Sequence, residues 1–200
     1  MTSLATALVL LASVPLHAEY SDSDRTALIR HLDDSRKVVA VALEGMSADQ
    51  SNYKPESKVW SQTEVVEHLA LMETMLMGML KQALETTKPV PETQKMPDPS
   101  AMDAAILKNV PDRSQKAQAP EQAVPKGSFR NWEDAFQEFS ARRRKTIEFV
   151  QNTKLDLRRY MIETPMGSMD AHQWILFIAA HTERHQYQIA EMKNNEFFPK

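Results

Sequence analysis

Two histidines, His181 and His185, stand four residues apart in "FIAAHTERHQYQIAEMK" (Phe177 to Lys193), a stretch that otherwise reads as a helix with an apolar inner side. A four-residue step turns a helix by roughly 400°, so both imidazoles project from nearly the same side, one turn apart. A third, His68, stands on the apolar stripe of another predicted helix, "SQTEVVEHLALMETMLMGML" (Ser61 to Leu80). These rings are either polar residues that tolerate burial or the ligands of a metal. Burying three imidazoles without partners leaves several nitrogens unsatisfied, at roughly 1–3 kcal/mol each. A divalent cation removes that penalty and uses all three, and facing helices of a bundle are where inward ligands converge.

The pair is not a zincin signature, which needs Glu directly after the first His; Thr182 stands there. Glu183 lies roughly 200° around the helix from His181 and is expected to point away from the metal. His172, nine residues before His181, falls on the opposite face, and His31 sits on the margin of the first helix's apolar face. Neither is expected to ligate. Glu64, one turn before His68 and on its side, is the candidate carboxylate to orient a ligand or handle protons. It also fits a plain role as the third residue of a capping box opened by Ser61. Gln188 could orient a ligand, and Trp60 is expected to close the bundle near the site. Met72, Met75, Met77 and Met79 would suit soft copper(I). They cannot all face inward together, so they read as core filler.

Four helices are predicted to position these residues. The first runs from about Ser23 to Leu43, with Ser21, Asp22 or Ser23 as cap and Leu28, Leu32, Val38, Val39 and Ala42 as its apolar face. The second opens at Ser61 and runs to about Glu85, with Val65, His68, Met72, Met75 or Leu76, and Met79 inward. The third is "NWEDAFQEFSARRRKTIEFVQN". The fourth follows a turn at Pro165 and Gly167, with Ser168 as cap and Trp174, Phe177, Ile178, His181, His185, Ile189 and Met192 inward. Between the second and third, Lys88 to Ser128 is polar and proline-punctuated, with a short helix at "AMDAAILKNV". So long a connection suits a crossover between parallel neighbours. The expected fold is all-α, a four-helix bundle with a long crossover (88–128) between helices 2 and 3.

The 200 residues suffice for a single domain with a full core. A net charge of −3 gives no footprint for nucleic acid, and "ARRRK" (Ala141 to Lys145) reads as a solvated helix face. The absence of cysteine rules out disulfides, thiolate ligands and a thiol-linked lipid anchor. "LATALVLLASV" (Leu4 to Val14) is too short to span a bilayer, and the following "PLHA" ends at Ala18. Residues 1–18, His17 among them, are read as a signal peptide, leaving a bundle at 19–200 exported to the periplasm or medium.

"VWSQTEVVEHLALME" (Val59 to Glu73) and "TPMGSMDAHQWILFIAAHTERHQYQIAEMK" (Thr164 to Lys193) resemble the second and fourth helices of the DinB/YfiT-like superfamily. The resemblance implies one divalent metal, zinc or nickel among others, on His68, His181 and His185, and a homodimer. A signal peptide departs from the cytosolic habit of many members.

Three imidazoles would leave a doubly charged ion with an open position, as in catalytic sites. Water there is acidified from a pKa of about 15.7 toward 7, which suits hydrolysis of a small-molecule substrate. The first expectation is therefore a metal-dependent hydrolase. The alternatives are a metal-dependent thiol S-transferase, with a thiolate at the open position, and a non-catalytic metal-binding stress-response protein.

Overall fold

Wherever a polar cap precedes an apolar stripe, the chain forms a long helix. The computed structural model describes residues 20–114, 116–164 and 167–200. The expected signal segment, His17 and Pro165 lie outside them. The helices are α1 (Asp22–Leu43), the single turn α2 (Ala48–Ser51), α3 (Gln62–Thr86), α4 (Ser100–Asn109), α5 (Trp132–Asn152) and α6 (Ala171–Lys193). The four long ones, α1, α3, α5 and α6, are the bundle. No helix among the described residues is long and apolar enough to cross a membrane.

Ser21 caps α1 by accepting from the Asp24 amide at 3.1 Å, and Asp22 and Asp24 complement the helix dipole in the first turn. Gly45, at φ +75°, lets the chain turn beyond its end. The buried stripe is Leu28, Leu32, Ser35, Val39 and Leu43. Val38, expected inside, is 40% exposed, because the step from Leu32 runs through Ser35 to Val39.

In α3 the Ser61–Glu64 capping box is formed as expected. Met79 is 47% exposed and Leu80 takes its inward place. Met72 and Met77 are buried and Met75 half-buried, so the methionines spread round the helix as packing.

Before α6 the structure differs from the predicted simple turn. Strands β1 (Met161–Thr164) and β2 (Gly167–Asp170) pair antiparallel, from Met161 with Asp170 to Thr164 with Gly167. Ser168 is consumed in that ladder opposite Glu163. The cap falls to Asp170, which forms a capping box with Gln173.

α1 and α3 each pack against both α5 and α6. The Gln62 amide donates to the Ile189 carbonyl and the Trp174 indole N–H to the Leu76 carbonyl, so α3 and α6 run antiparallel. Arg142 reaches the Ala70 carbonyl while Thr146 reaches Glu73, so α3 and α5 run parallel. Parallel neighbours need a crossover. The 88–128 segment supplies it, mostly irregular, with α4 and the 3₁₀ turn Glu121–Ala123 as its only helical pieces among the described residues.

The core divides into two apolar clusters. One gathers Leu28, Leu32, Leu80, Val150, Leu157 and Ile175, the other Val39, Leu43, Val65, Leu69, Phe139 and Ile189. Arg143 is fully buried and is in neither cluster. Its burial corrects the reading of "ARRRK" as a solvated face. Only Arg144 and Lys145 are exposed; Arg142 is half-buried and bonds Glu138 and the Ala70 carbonyl. Three consecutive helical residues span about 200°, so one arginine of the run had to turn inward.

Candidate metal centre

The antiparallel register of α3 and α6 sets His68 level with the turn between His181 and His185. One ring nitrogen from each lies within 4.8 Å of the others. Ring centroids are 4.5 Å apart for His181 and His185, 4.7 Å for His68 and His185, and 5.4 Å for His68 and His181. The Nε2 atoms of His181 and His185 face each other at 3.2 Å. Two ligands on a tetrahedral ion with bonds of about 2.0–2.1 Å stand about 3.3–3.4 Å apart, so this spacing suits a shared cation.

Hydrogen bonds at the far side of two rings decide which nitrogen is free. His68 Nδ1 lies 2.7 Å from the Ala123 carbonyl, which can only accept, so Nδ1 carries the proton and Nε2 keeps its lone pair. His185 Nδ1 lies 2.8 Å from Gln188 Oε1. That oxygen also accepts from Arg113 Nη1 at 3.4 Å, and a guanidinium cannot accept, which sets the amide's orientation. His185 Nε2 is therefore free as well. Outer partners of this kind fix ring tautomers in metal sites.

The matching evidence in sequence covers most of the chain: the pattern that defines the DinB superfamily matches residues 31–189. This chain belongs to the DinB superfamily. YuaE, an uncharacterized protein of Bacillus subtilis (strain 168), is 28% identical over 152 residues, spanning 76% of this chain and 88% of YuaE. Among solved structures, YfiT from Bacillus subtilis aligns with a TM-score of 0.56 at 14% identity, over 88% of this chain and 89% of YfiT. YfiT is described as a probable metal-dependent hydrolase with an unusual four-helix bundle topology. At that identity the likeness establishes the fold, and the DinB bundle is the one found here.

The electrostatics of this DinB site favour neutral rings. Burial, then the neighbouring His68, pushes His185 down to about 3. Burial, then His185 and His68, holds His181 well below its ordinary value. His68 is lowered by burial, with the Ala123 carbonyl partly opposing. Neutral imidazole is the form that ligates. Three neutral nitrogen donors fit a borderline divalent ion.

The structure does not bring Glu64 to this cluster. Its carboxylate accepts from the Ser61 amide at 2.8 Å and pairs with Lys54 at 2.8 Å, so the cap holds it and no bond reaches a histidine. Gln188, by contrast, does orient His185. Trp60 packs 4.9 Å from the His68 ring, and Phe177 stacks on His181 at 6.0 Å. His172 lies at the other end of the bundle, where the Tyr20 hydroxyl bonds its Nδ1. His31 is half-buried on α1 and outside the cluster. Glu183 turns away, into an outer groove lined with Leu107, Arg113 and Tyr187. A second groove, of about 350 Å³, is lined by Pro55, Val59, Arg113, Gln188 and Met192 and reaches the back of His185 through Gln188.

Sequence reasoning pointed to Gln188 but missed the partner of His68. Ala123 acts through a backbone carbonyl, which no side-chain pattern advertises. Glu67, adjacent to His68, falls off the apolar stripe in the sequence pattern, yet it is buried.

Proposed function

We propose that the chain is a metal-dependent hydrolase whose divalent ion, zinc or nickel, is held by His68, His181 and His185. The observation that carries this reading is the convergence of three neutral imidazoles with, among the described residues, no carboxylate grouped with them. A divalent ion so held supplies Lewis acidity and activates water at neutral pH. The chain's own residues do the rest. Ala123 and Gln188 hold two rings with Nε2 free. Trp60 and Phe177 wall the site with aromatic surface, restricting bulk water. His181 is half-buried as a residue, whereas His68 and His185 are buried. Hydrolysis adds one water across the scissile bond, its hydroxyl to one product and its proton to the other.

One observation favours thiol transfer as the second reading. Glu64 is held by its cap, Glu67 by backbone amides and Glu73 by Arg143, so the acids nearest the ligands in α3 are committed elsewhere. A cosubstrate that brings its own nucleophile would need no such base. Export remains our proposal from the Leu4–Val14 run, tested by N-terminal sequencing of protein recovered outside the cytoplasm.

The deciding experiment is metal analysis of protein purified without added metal, then turnover of ester, amide, phosphate and thiol-conjugate panels. Hydrolysis by water alone, lost on chelation and restored by zinc or nickel, supports the first reading. Turnover only with added thiol replaces it with the second. Binding of metal without any turnover makes the protein a non-catalytic metal binder.

A further inference from the structure

The crossover does more than connect α3 to α5. Glu67, almost fully buried beside His68, accepts four hydrogen bonds from one short stretch of it. Lys126 N donates to Oε1 at 3.1 Å and Ser128 Oγ to the same atom at 2.6 Å. Gly127 N and Ser128 N donate to Oε2 at 3.0 and 3.1 Å. Three successive backbone amides, with Gly127 in the left-handed region at φ +69°, form a concave nest of the kind that binds anions. Here the anion is the protein's own carboxylate.

Three residues before that nest begins, the 3₁₀ turn Glu121–Ala123 presents the carbonyl that accepts from His68 Nδ1. Between the two points stands Pro125, whose ring fixes one backbone torsion. Ala123 is fully buried and its methyl joins the core. Residues 120–128 are thus a strap pinned at both ends of α3's consecutive pair Glu67–His68.

We propose that this strap is the outer clamp of the metal centre and that Glu67 is its positioning residue. Docking of the strap on Glu67 places the Ala123 carbonyl, which holds the His68 ring and leaves Nε2 toward the ion. The two equilibria are linked: strap docking tightens metal binding, and metal binding tightens strap docking by the same factor. Arg113, from an earlier part of the same crossover, acts on the other side. It is anchored on Glu191 at 2.9 Å and reaches Gln188, the partner of His185. The crossover therefore supports a ligand on each of the two ligand-bearing helices. The proposal rests on His68, His181 and His185 binding a metal.

The test pairs zinc(II) affinity, read by competition with a chromogenic chelator, with amide exchange of residues 120–128. Two variants are used. Glu67→Gln is nearly isosteric, but its NH₂ opposes the nest's donors. Gly127→Ala lies on the exposed strap, where an added Cβ meets nothing within 4 Å, and strains only the left-handed backbone. In the wild type, zinc should slow exchange at 120–128, and His68→Ala should abolish that slowing. Glu67→Gln should speed strap exchange and weaken zinc binding about 10–100-fold, with Gly127→Ala acting in the same direction. Faster strap exchange with wild-type zinc affinity in both variants overturns the clamp while leaving the metal site standing. A wild type that binds no zinc overturns both.

Discussion

Two buried polar clusters share helices α3 and α6, and they are built to opposite rules. Glu73 lies five residues beyond His68, and Thr182 follows His181 directly. Yet around Arg143 every donor is used. Nε and Nη2 grip Glu73 at 2.9 and 2.8 Å, Nη1 donates to the Leu32 carbonyl and Ser35, and Nη2 also reaches Thr182. All five guanidinium hydrogens have acceptors, one or more from α1, α3 and α6. One turn away, His68 and His185 satisfy only their outer nitrogens, and the Nε2 atoms of His181 and His185 face each other. A closed network holds helices together. An open one is complete only with something from outside.

The largest effect should come from breaking the closed cluster. Glu73→Ala leaves a guanidinium charge buried without its partner and should destabilise the fold by about 3–5 kcal/mol in denaturant titration. Replacing both members, as Arg143→Met with Glu73→Leu, should recover most of that loss. If the single variant costs little, water reaches the layer and the contrast with the histidines fails.

The open cluster should respond to metal instead. Zinc at about 100 times its Kd should raise wild-type stability by about 2.7 kcal/mol. His181→Ala, at the most exposed of the three ligands, should lose that increment while melting near the metal-free wild type. A variant that keeps the zinc increment would remove His181 from the site.

The same contrast explains what could be read from sequence. Caps and apolar stripes are local, so Ser61–Glu64, the four long helices and the His181/His185 pair were legible. So was His68, because an imidazole on an apolar stripe is conspicuous. Arg143 was not: its partner Glu73 is 70 positions away in another helix, and a run of basic residues looks solvated until tertiary packing selects one. The β1–β2 hairpin escaped because four-residue strands carry too little pattern, and it took Ser168 out of capping. Glu67 and Ala123 depend on where an irregular crossover lands, which no periodicity encodes.

His172 sharpens the comparison because it is a buried histidine on the same helix as the candidate ligands, but with partners. Tyr20 bonds its Nδ1, and around it stand Asp24, Asp103, Arg158, which also pairs with Asp170, and, on α1, His31. Burial, then the Arg158 charge, pushes it down to about 4. A histidine lowered on folding contributes stability that is present above its unfolded value of 6.5 and is lost as pH falls toward about 4. Asp170, pushed up to about 6 by burial, works the other way and gains as His172 loses. The ligand histidines, also lowered, add their own acid loss, so the wild-type profile alone cannot isolate this residue. The difference between wild type and His172→Gln can, since the ligand histidines at the other end of the bundle cancel, leaving His172 and the groups that interact with it, Asp103 first. Measured by urea midpoints in chelator, the wild type's advantage over the variant should shrink between pH 6.5 and 4, by at most about 1.4 kcal/mol per pH unit. Zinc affinity at pH 7 should be the same in both proteins. A pH-independent difference would mean that His172 binds its proton as readily in the fold as in the unfolded chain, and a lost zinc site would mean that the two ends of α6 are not independent.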